Sequence, residues 1–548
     1  MADELATEII KRQERLKSER APFESHWQEI ADLIRPMRAD FTELRTAGDK
    51  RAQKIFDGTA GLSAQNLASG LWSMITNSAN EWFALKHPDA DLDRNREVRL
   101  WLDEAAARMR DAFAIEGQRF YAKVLELYQD LVAFGTAVFY VDEDANPGRL
   151  FFSTRHLAEC VVAENEQEKI DTVYRRFQFT ARQAARQWPG KVSAKIENAA
   201  EKDTDRKFDF IHCVRPNEDF SPKRLDTRGK RFASVYVEVE SRRVLSEGGY
   251  HEFPFLVPRW STASRAVYGD SPAMLALADT KMLNAMTKTT IVAAQKAADP
   301  PLLAPDETAV RGVRTSPGGI IYGGVDPQGR ALYQPLITNA RIDIGLQMED
   351  QRRNAIREAF FFSLLLMVQQ PNATATEVLA RQEEKLRLMA PHLGRIQAEF
   401  LDPLIGRVFG ILDRAGAFPP APPALRAAPE IAVEYVSPLA RAQKAAEGSA
   451  IVRALEAVMP LAGADPGVLE NFDFDEVART LAQSFGAPAK LLRDPADVAA
   501  RRQQRQQAQT VANLAQMARP AASAIKDVVA ANEATRAGRA AAAATAPA

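Results

Sequence analysis

Hydrophobic and polar positions along this chain change their period twice, from helical spacing to alternation and back. Near the N-terminus, and again after residue 260, apolar residues recur every three or four positions among charged ones. Between these parts, apolar and polar residues alternate in short runs separated by Gly, Pro, Asn and Asp. The alternation predicts a β-rich block over residues 137–260, with one helical insert near 180–188. Helices before the block are expected over residues 3–35, from near Thr59 to Ile75, and over residues 93–114 and 120–135.

Two long helices flank a small glycine-rich module after the β-rich block. Ser271 is a suitable N-cap and Pro272 fits the first helical position, so a helix begins there. It can continue to Ala298, before Asp299 and two prolines, and a second helix is expected over residues 339–360. A hairpin of two long helices cannot bury its own apolar residues alone. Neighbouring copies of the chain are therefore expected to supply the missing contacts.

An apolar run, Phe360–Val368, ends abruptly before a charged helix. Pro371 disfavours helical backbone at the residue that precedes it. Thr374 and Glu377 have the spacing of a capping box, in which each side chain accepts a backbone N–H. We expect an irregular segment up to residue 373, then a helix that continues to about Gly416. WFAL, early in the chain, and IAVEYV, late in it, are each predicted to form one short strand. The C-terminal part is predicted to be helical.

Composition and charge exclude several classes of protein. The chain has 548 residues, with 71 basic and 72 acidic side chains and a formal net charge of -1. This balance excludes a protein that coats nucleic acid through its overall charge, so any such contact must use local rings or patches. Two cysteines cannot form a disulfide framework in a chain of this size, and they indicate a reducing compartment. No uninterrupted apolar stretch reaches about 18 residues, so no membrane span is expected.

Motifs for catalysis, metal binding or nucleotide binding are not recognisable. The six histidines include no His-x-x-x-His pair, and Cys213 has no Cys-x-x-Cys partner. Neither Gly-x-Gly-x-x-Gly nor Gly-x-x-x-x-Gly-Lys-Ser/Thr occurs. Glu383 and Glu384 are adjacent and point about 100° apart on a helix, so a site with two carboxylates would need distant partners. We expect no enzyme activity, no metal and no cofactor.

Several segments carry a family likeness in a fixed order along nearly the whole chain. They are IFDGTAGLSAQNLASGLWSMI with WFAL at 82–85, DLVAFGTAVFYV, FPFLVPRW, YGDSPAMLALADTKMLN, PNATATEVLARQEEK with LGRIQAEFLDPLI, and EYVSPLARAQKA at 434–445. In this order the chain resembles the portal, or head-to-tail connector, proteins of short-tailed phages. The alanine-rich part after about residue 500 matches least.

The resemblance implies an α+β portal fold with a helical and β-rich wing, a two-helix stem, a small β clip and a helical C-terminal crown. The implied boundaries are residues 1–270 for the wing, 271–298 and 339–360 for the stem helices, 299–338 for the clip, 361–373 for the channel (tunnel) loop, 374–464 for the long helix and strand of the wing, and 465–548 for the crown.

The implied function is a ring of twelve copies at one capsid vertex, which conducts double-stranded DNA during packaging and ejection and attaches the tail. Helices about 10 Å apart around such a ring leave a bore of roughly 28 Å, enough for a duplex. The implied partners are a terminase packaging motor, a tail adaptor, and capsid and scaffolding proteins, with assembly in the host cytoplasm and a final place in the virion. The alternative is a non-portal phage assembly protein, such as a tail adaptor or a scaffold. Scaffolds are usually nearly all helical, so the β-rich block argues against the second of these.

The candidate channel-lining residues lie on the first stem helix and in the channel loop. Lys281, Lys288 and Lys296 fall within about 80° of arc on that helix, and form either a solvated face or stacked rings that face DNA. The apolar run before Pro371 is either core filling or a loop that reaches the bore. The loop residues expected nearest to DNA are Val368, Gln369, Gln370 and Asn372.

Two further groups of residues are expected at contacts with other chains. The residues expected at inter-subunit contacts are Arg352, Arg353 and Arg357, with Glu349, Asp350 or Glu358 as partners, and Arg381, Glu383 and Glu384. The last three, with Lys385, could equally form a solvated helix face. The residues expected to dock the motor or adaptor, at the tip of the hairpin, are Arg311, Arg314, Gly323 and Gly324.

Overall fold

A computed structural model gives the conformation of most of the chain. It describes residues 2–543 except 44, 45, 47, 116–118, 145–148, 304–319, 321–323, 333, 337–341, 364–386, 428–430, 436, 437, 463–465, 486, 488–490 and 494. The chain divides into two compact units. The first consists of Met1–Pro88 and Trp101–Ala442, and the second of Asp89–Leu100 and Gln443–Ala548.

Helices lie towards both ends of the chain, and most of the strands lie in one block between Phe134 and Pro272. The α-helices are α1 (Ala2–Leu33), α2 (Thr59–Ile75), α3 (Ala90–Arg94), α4 (Arg96–Ala114), α5 (Phe120–Phe134), α6 (Ala181–Gln187), α7 (Ala194–Lys202), α8 (Pro272–Ala298), α9 (Ile342–Ala359), α10 (387–396), α11 (Asp402–Arg414), α12 (Pro423–Ala427), α13 (Pro438–Ala462), α14 (Phe474–Ser484) and α15 (Pro495–Ala543). The strands are β1 (Phe83–Lys86), β2 (Val138–Glu143), β3 (Leu150–Arg155), β4 (Cys160–Glu164), β5 (Ile170–Thr180), β6 (Lys207–Pro216), β7 (Phe232–Glu238), β8 (Arg243–Tyr250), β9 (Phe255–Leu256), β10 (Leu302–Leu303), β11 (Gln334–Pro335) and β12 (Ala432–Tyr435).

Five antiparallel strands form the larger sheet in the order β4-β5-β6-β7-β8, so each strand pairs with its neighbour along the chain. Successive side chains of a strand point to opposite faces, and the sequence of β6 follows this rule. Ile211 and Cys213 pack on one face with Ile9 of α1, whereas Phe210 packs on the other face with Ala184 of α6. Helices therefore cover both faces of the sheet, which explains its apolar composition.

Arg20 fixes α1 to the edge of this sheet. Its guanidinium is buried, donates to the carbonyl oxygens of Leu157 at 2.8 Å and Ala158 at 3.0 Å, and pairs with Glu24 at 2.5 Å. A buried cation without such partners would be strongly destabilising, so these contacts hold the helix in one position.

Two smaller sheets join segments that are far apart in the sequence. β2 lies between β3 and β9, and β1 pairs antiparallel with β12 so that Phe83 lies opposite Tyr435. The short strands predicted at WFAL and IAVEYV are thereby confirmed. β10 and β11 form a two-stranded ladder at the two ends of the glycine-rich module.

The helix that follows residue 386 contains a π-helical turn, Gln397–Leu401, between α10 and α11. Within this turn Glu399 pairs with the guanidinium of Arg259 at 2.8 Å and also accepts the backbone N–H of Arg259 at 2.8 Å. The extra residue of a π turn therefore coincides with a salt bridge that ties this helix to the end of the β-rich block.

Two predictions for the first 270 residues were wrong. The β-rich block contains two inserted helices instead of one, because Ser193 begins α7 soon after α6 ends. The helix predicted over 93–114 is interrupted at Asn95, whose side chain accepts the backbone N–H of Glu97 at 3.0 Å and starts a new helix. No helix in the described part of the chain has both the length and the apolar character needed to cross a membrane.

Candidate functional site

The start of α8 is locked to the end of α5. The hydroxyl of Ser271 accepts the backbone N–H of Met274 at 3.0 Å and donates to the carbonyl oxygen of Ala133 at 2.8 Å. The cap and Pro272 are therefore placed as the sequence predicts. Next to them Gly135 has a φ of +72°, and a Cβ there would lie 2.2 Å from the carbonyl oxygen of Gly269. Only glycine fits this position, because the two backbones touch.

Polar contacts across their facing sides hold α8 and α9 together. Thr290 donates from its hydroxyl to Glu349 at 2.6 Å, and Arg352 pairs with Asp279 at 2.9 Å. The carboxylate of Glu349 is buried, so its partners offset the loss of water. The two long helices predicted around the glycine-rich module are thus present and packed side by side.

The segment before α2 braces this pair of helices. The side chain of Asn284 accepts the backbone N–H of Phe56 at 2.7 Å and donates to the carbonyl oxygen of Lys54 at 2.8 Å. Asp57 receives the guanidinium of Arg353 at 2.9 Å. This segment, residues 54–57, therefore contacts both helices, and we call it the brace.

The contacts of the brace hold the pKa of the Asp57 carboxyl group below its ordinary value. Burial by itself would raise the pKa of the Asp57 carboxyl group. Hydrogen bonds from Thr59 and from the guanidinium of Arg353 outweigh the burial and leave that pKa lowered. Arg353 also contacts Glu349 at 2.9 Å and Asp350 at 2.8 Å, so one guanidinium joins three carboxylates.

The outward sides of α8 and α9 differ in chemistry. Leu275 is 74% exposed and Met282 is 50% exposed, and they lie within about 20° of each other around the axis of α8. The exposed residues on that side of α8 are Leu275, Ala278, Met282, Ala285, Thr289, Val292 and Lys296. The exposed polar residues of α9 share one arc and are Asp343, Gln347, Asp350, Gln351, Asn354 and Glu358, with the exposed apolar residues Ile344, Leu346 and Met348 beside that arc. The outward side of α8 is thus mainly apolar, whereas the central arc of α9 carries carboxylates and amides.

Two of the three predicted channel lysines contact their own chain. Lys281 pairs with Glu29 of α1 at 2.5 Å, and the ammonium of Lys288 lies 5.6 Å from the ring centre of Phe56. Lys296 is exposed in the last turn of α8. Lys281 therefore faces α1, Lys288 faces the segment before α2, and Lys296 lies among the outward residues.

The predicted inter-subunit arginines also have partners within the chain. Arg352 and Arg353 make the ion pairs described above, and Arg357 donates to the side-chain oxygen of Asn354 at 3.2 Å. Contacts of these arginines with a neighbouring copy stay a prediction, as does the role of Gly324, whose carbonyl oxygen accepts the N–H of Leu332 at 2.9 Å.

The remaining predicted site residues lie outside the part of the chain that the structure describes. They are Val368, Gln369, Gln370, Asn372, Arg381, Glu383, Glu384, Arg311, Arg314 and Gly323, together with the capping box of Thr374 and Glu377. Among the described residues, no group of three or more His, Cys, Asp or Glu side chains is arranged to hold a metal ion.

The sequence did not reveal the brace. Glu349 and Arg353 have the spacing of a helical ion pair, which is visible in the sequence. Asp57 is almost three hundred residues away, and no local pattern marks it as the third member. The sequence shows only that Asp57 is a charged residue just before the start of a helix, and this position also fits an ordinary helix cap.

Comparison with known proteins gives one family over most of the chain. Residues 6–492 match the family model described as "Bacteriophage head to tail connecting protein". The chain is similar to the "Portal protein" of Salmonella phage epsilon15, with 31% identity over 515 residues that cover 92% of each chain. It is also similar to the "Probable portal protein" of Bordetella phage BPP-1, with 32% identity over 506 residues that cover 90% of each chain.

Proposed function

Because the chain belongs to the bacteriophage head-to-tail connecting protein family, we propose that twelve copies form a ring that conducts double-stranded DNA. The chain has a phage portal role, which is structural, as a component of the virion at the capsid vertex. The ring, its copy number and the passage of DNA during packaging and ejection are the finer steps of the proposal.

The mainly apolar outward side of α8 is the observation that carries the ring. Leucine, methionine and valine side chains recur there at helical spacing, and Leu275 is 74% exposed in the single chain. Contiguous exposed apolar surface on a helix indicates an interaction site. A neighbouring copy in a ring would cover this side and remove it from water.

The two helices then have different roles in the proposed ring. We assign α8 to the contact between copies and α9 to the bore. The carboxylates and amides of α9 offer no fixed positive charge to the phosphates of DNA, so the duplex would slide without being gripped. Lys296 lies in the last turn of α8 and would add a positive ring to the bore only where the neighbouring copy leaves that turn uncovered. Lys281 and Lys288 would line the bore only after leaving Glu29 and Phe56.

The proposed domains follow the family resemblance. The stem consists of α8 and α9, and the clip consists of residues 299–338 with the motor and adaptor contacts at Arg311, Arg314, Gly323 and Gly324. The channel loop is residues 361–373, with Val368, Gln369, Gln370 and Asn372 nearest to DNA. The wing comprises residues 1–270 and 374–464, and the crown comprises residues 465–548.

Native mass spectrometry of the purified full chain tests the ring directly. Twelve copies of a 60.5 kDa chain have a mass of about 726 kDa. Negative-stain images of the same sample should show rings with a central hole. A monomer at all concentrations, also after capsid and scaffolding proteins are added, would exclude the proposed assembly but not the family.

A further inference from the structure

The connection between β6 and β7, residues 217–231, is a loop that its own hydrogen bonds hold in one shape. The side-chain nitrogen of Asn217 donates to the carbonyl oxygens of Thr227 at 3.2 Å and Lys230 at 2.9 Å. Asp226 accepts the backbone N–H of Arg228 at 3.1 Å and pairs with the guanidinium of Arg224 at 2.6 Å. These contacts join the two limbs of the loop.

Gly229 makes the closest approach between the limbs. A Cβ at this position would lie 1.8 Å from the carbonyl oxygen of Arg224, so no other residue fits without moving the backbone. A loop that is ordered before binding loses little conformational freedom when a partner binds. The shape of this loop therefore suits recognition better than that of a flexible connection.

Leu225 projects from this ordered loop into solvent. It is 104% exposed, and Phe220 in the same loop is 39% exposed. Single exposed apolar residues are common, but this one lies at the turn between Arg224 and Asp226, which pair with each other and fix its backbone. Another molecule is needed to remove this side chain from water.

Positive charge surrounds the exposed leucine. The loop contains five basic residues, Lys223, Arg224, Arg228, Lys230 and Arg231, and three acidic residues, Glu218, Asp219 and Asp226. Its net charge is therefore +2 in a chain whose formal net charge is -1. An acidic partner surface would be attracted to this loop.

A cavity of about 510 Å³ adjoins the loop and shares Lys230 with it. The floor of the cavity is Arg407, which is 3% exposed. Its guanidinium donates to the carbonyl oxygens of Val141 and Glu252 at 3.2 Å, and reaches the Asp142 carboxylate at 3.4 Å. It also pairs with the Glu252 carboxylate at 3.2 Å, so contacts within the chain hold this side chain in place beside the loop.

We propose that the loop binds an acidic segment of a partner protein, whose carboxylates meet the basic side chains of the loop, including Lys230, while an apolar recess of the partner covers Leu225. Nucleic acid fits less well, because a phosphate backbone offers no apolar surface to cover an exposed leucine. The inference goes beyond the proposed function and does not require the ring.

Fluorescence anisotropy with the purified full chain tests the proposal. The probe is a fluorescein-labelled peptide of alternating Glu and Leu, and the reference probes are the same peptide with Lys for Glu and a 20-base-pair duplex DNA. We expect the Glu peptide to bind at least tenfold more tightly than the Lys peptide. K230E should weaken its binding at least tenfold, and L225S at least fivefold.

Matched controls separate the site from general effects of charge and polarity. Lys169 and Leu62 are exposed elsewhere on the same unit, so K169E and L62S should change the affinity less than twofold. Equal binding of the two peptides, or equal effects of the variants and their controls, would overturn the proposal. Tighter binding of the duplex that K230E abolishes would show a nucleic-acid site instead.

A photo-crosslinking residue at position 225, incorporated while phage particles assemble, identifies the partner. Mass spectrometry should find crosslinks to an acidic segment of another virion or assembly protein. Crosslinks to DNA or to a second copy of this chain would contradict the proposed occupant. Because both experiments report binding at the loop, their failure would leave the ring and its mass measurement untouched.

Discussion

Gly135 and Gly416 both follow a helix with a positive φ, +72° and +67°, but their surroundings differ. A Cβ at Gly135 would lie 2.2 Å from the carbonyl oxygen of Gly269, whereas nothing lies within 4 Å of a Cβ at Gly416. This pair of residues therefore separates the cost of backbone conformation from the cost of close contact.

We expect G416A to destabilise its unit by about 1 kcal/mol, which is the cost of a left-handed backbone for alanine. G135A adds a clash at the start of α8 and should cost about 3 kcal/mol or more. Thermal unfolding of both variants, followed by circular dichroism, measures the difference. Equal melting temperatures would show that the contact at Gly135 relaxes without cost.

Asp57 makes the brace sensitive to acid. Because its pKa in the folded chain lies below the ordinary value, the ionised carboxylate stabilises the fold above about pH 4. This contribution is lost as the pH falls through the folded-state pKa. Between about pH 5 and about pH 3, the free energy of unfolding of the wild-type chain should therefore fall more steeply than that of D57N.

A double-mutant cycle on Asp57 and Arg353 isolates the ion pair. D57N, R353Q and the double variant should give a coupling free energy of about 0.5–1 kcal/mol at pH 7, because the pair is partly exposed to water. The coupling should decrease as the pH falls through the lowered folded-state pKa of Asp57, because protonation removes the charge of the carboxylate. A coupling that does not change with pH would assign the effect to packing.

At the scale of the elements, the outward side of α8 gives the sharpest test. M282E places a charge where a neighbouring copy is expected, and burying a methionine there contributes about 1.5–3 kcal/mol per copy. M37E changes a residue that is 79% exposed in a 3-10 turn, Pro36–Arg38, and serves as the control. We expect at least a tenfold loss of rings by mass photometry for M282E and none for M37E. Intact rings with M282E would move the contact between copies to another surface.

The elements that the sequence predicts correctly carry their own signals. Ser271 and Pro272 mark the start of α8 by local chemistry, and period-two alternation marks the strands of the β-rich block. The break at Asn95 was missed, because the residues around it keep a helical pattern. The Asn95 side chain accepts a backbone N–H there and interrupts the helix. Local patterns therefore predicted which elements are present better than they predicted the residues at which those elements end.

Contacts between distant segments carry no such signal. Asp57 joins Arg353, and Phe83 lies opposite Tyr435, across hundreds of intervening residues. The lysine prediction shows the same limit, since helical spacing places Lys281 and Lys288 on one side but does not reveal that Glu29 and Phe56 lie opposite. Sequence spacing specifies a side of a helix, and the fold decides what covers that side.

At the scale of the whole molecule, the region between α8 and α9 is proposed to meet the packaging motor. R311E combined with R314E should leave rings of unchanged mass and reduce packaging of DNA in cell extracts at least tenfold, because a charge reversal repels an acidic partner surface. R330E is the control within the same region, since Arg330 already pairs with Asp326 at 3.3 Å. Normal packaging by the double variant would remove these arginines from the contact.

The position of α1 has a consequence for the synthesis of the chain. α1 leaves the ribosome before the sheet that it contacts, because its apolar side packs on Val237 and Val244, which are made about two hundred residues later. At translation rates of about 5–20 residues per second, the strands that cover this helix are synthesised roughly 10–40 s after it. During that interval Ile9 and Leu16 are exposed to other nascent chains, so the yield of soluble protein should depend on the speed of translation and on chaperones that bind α1.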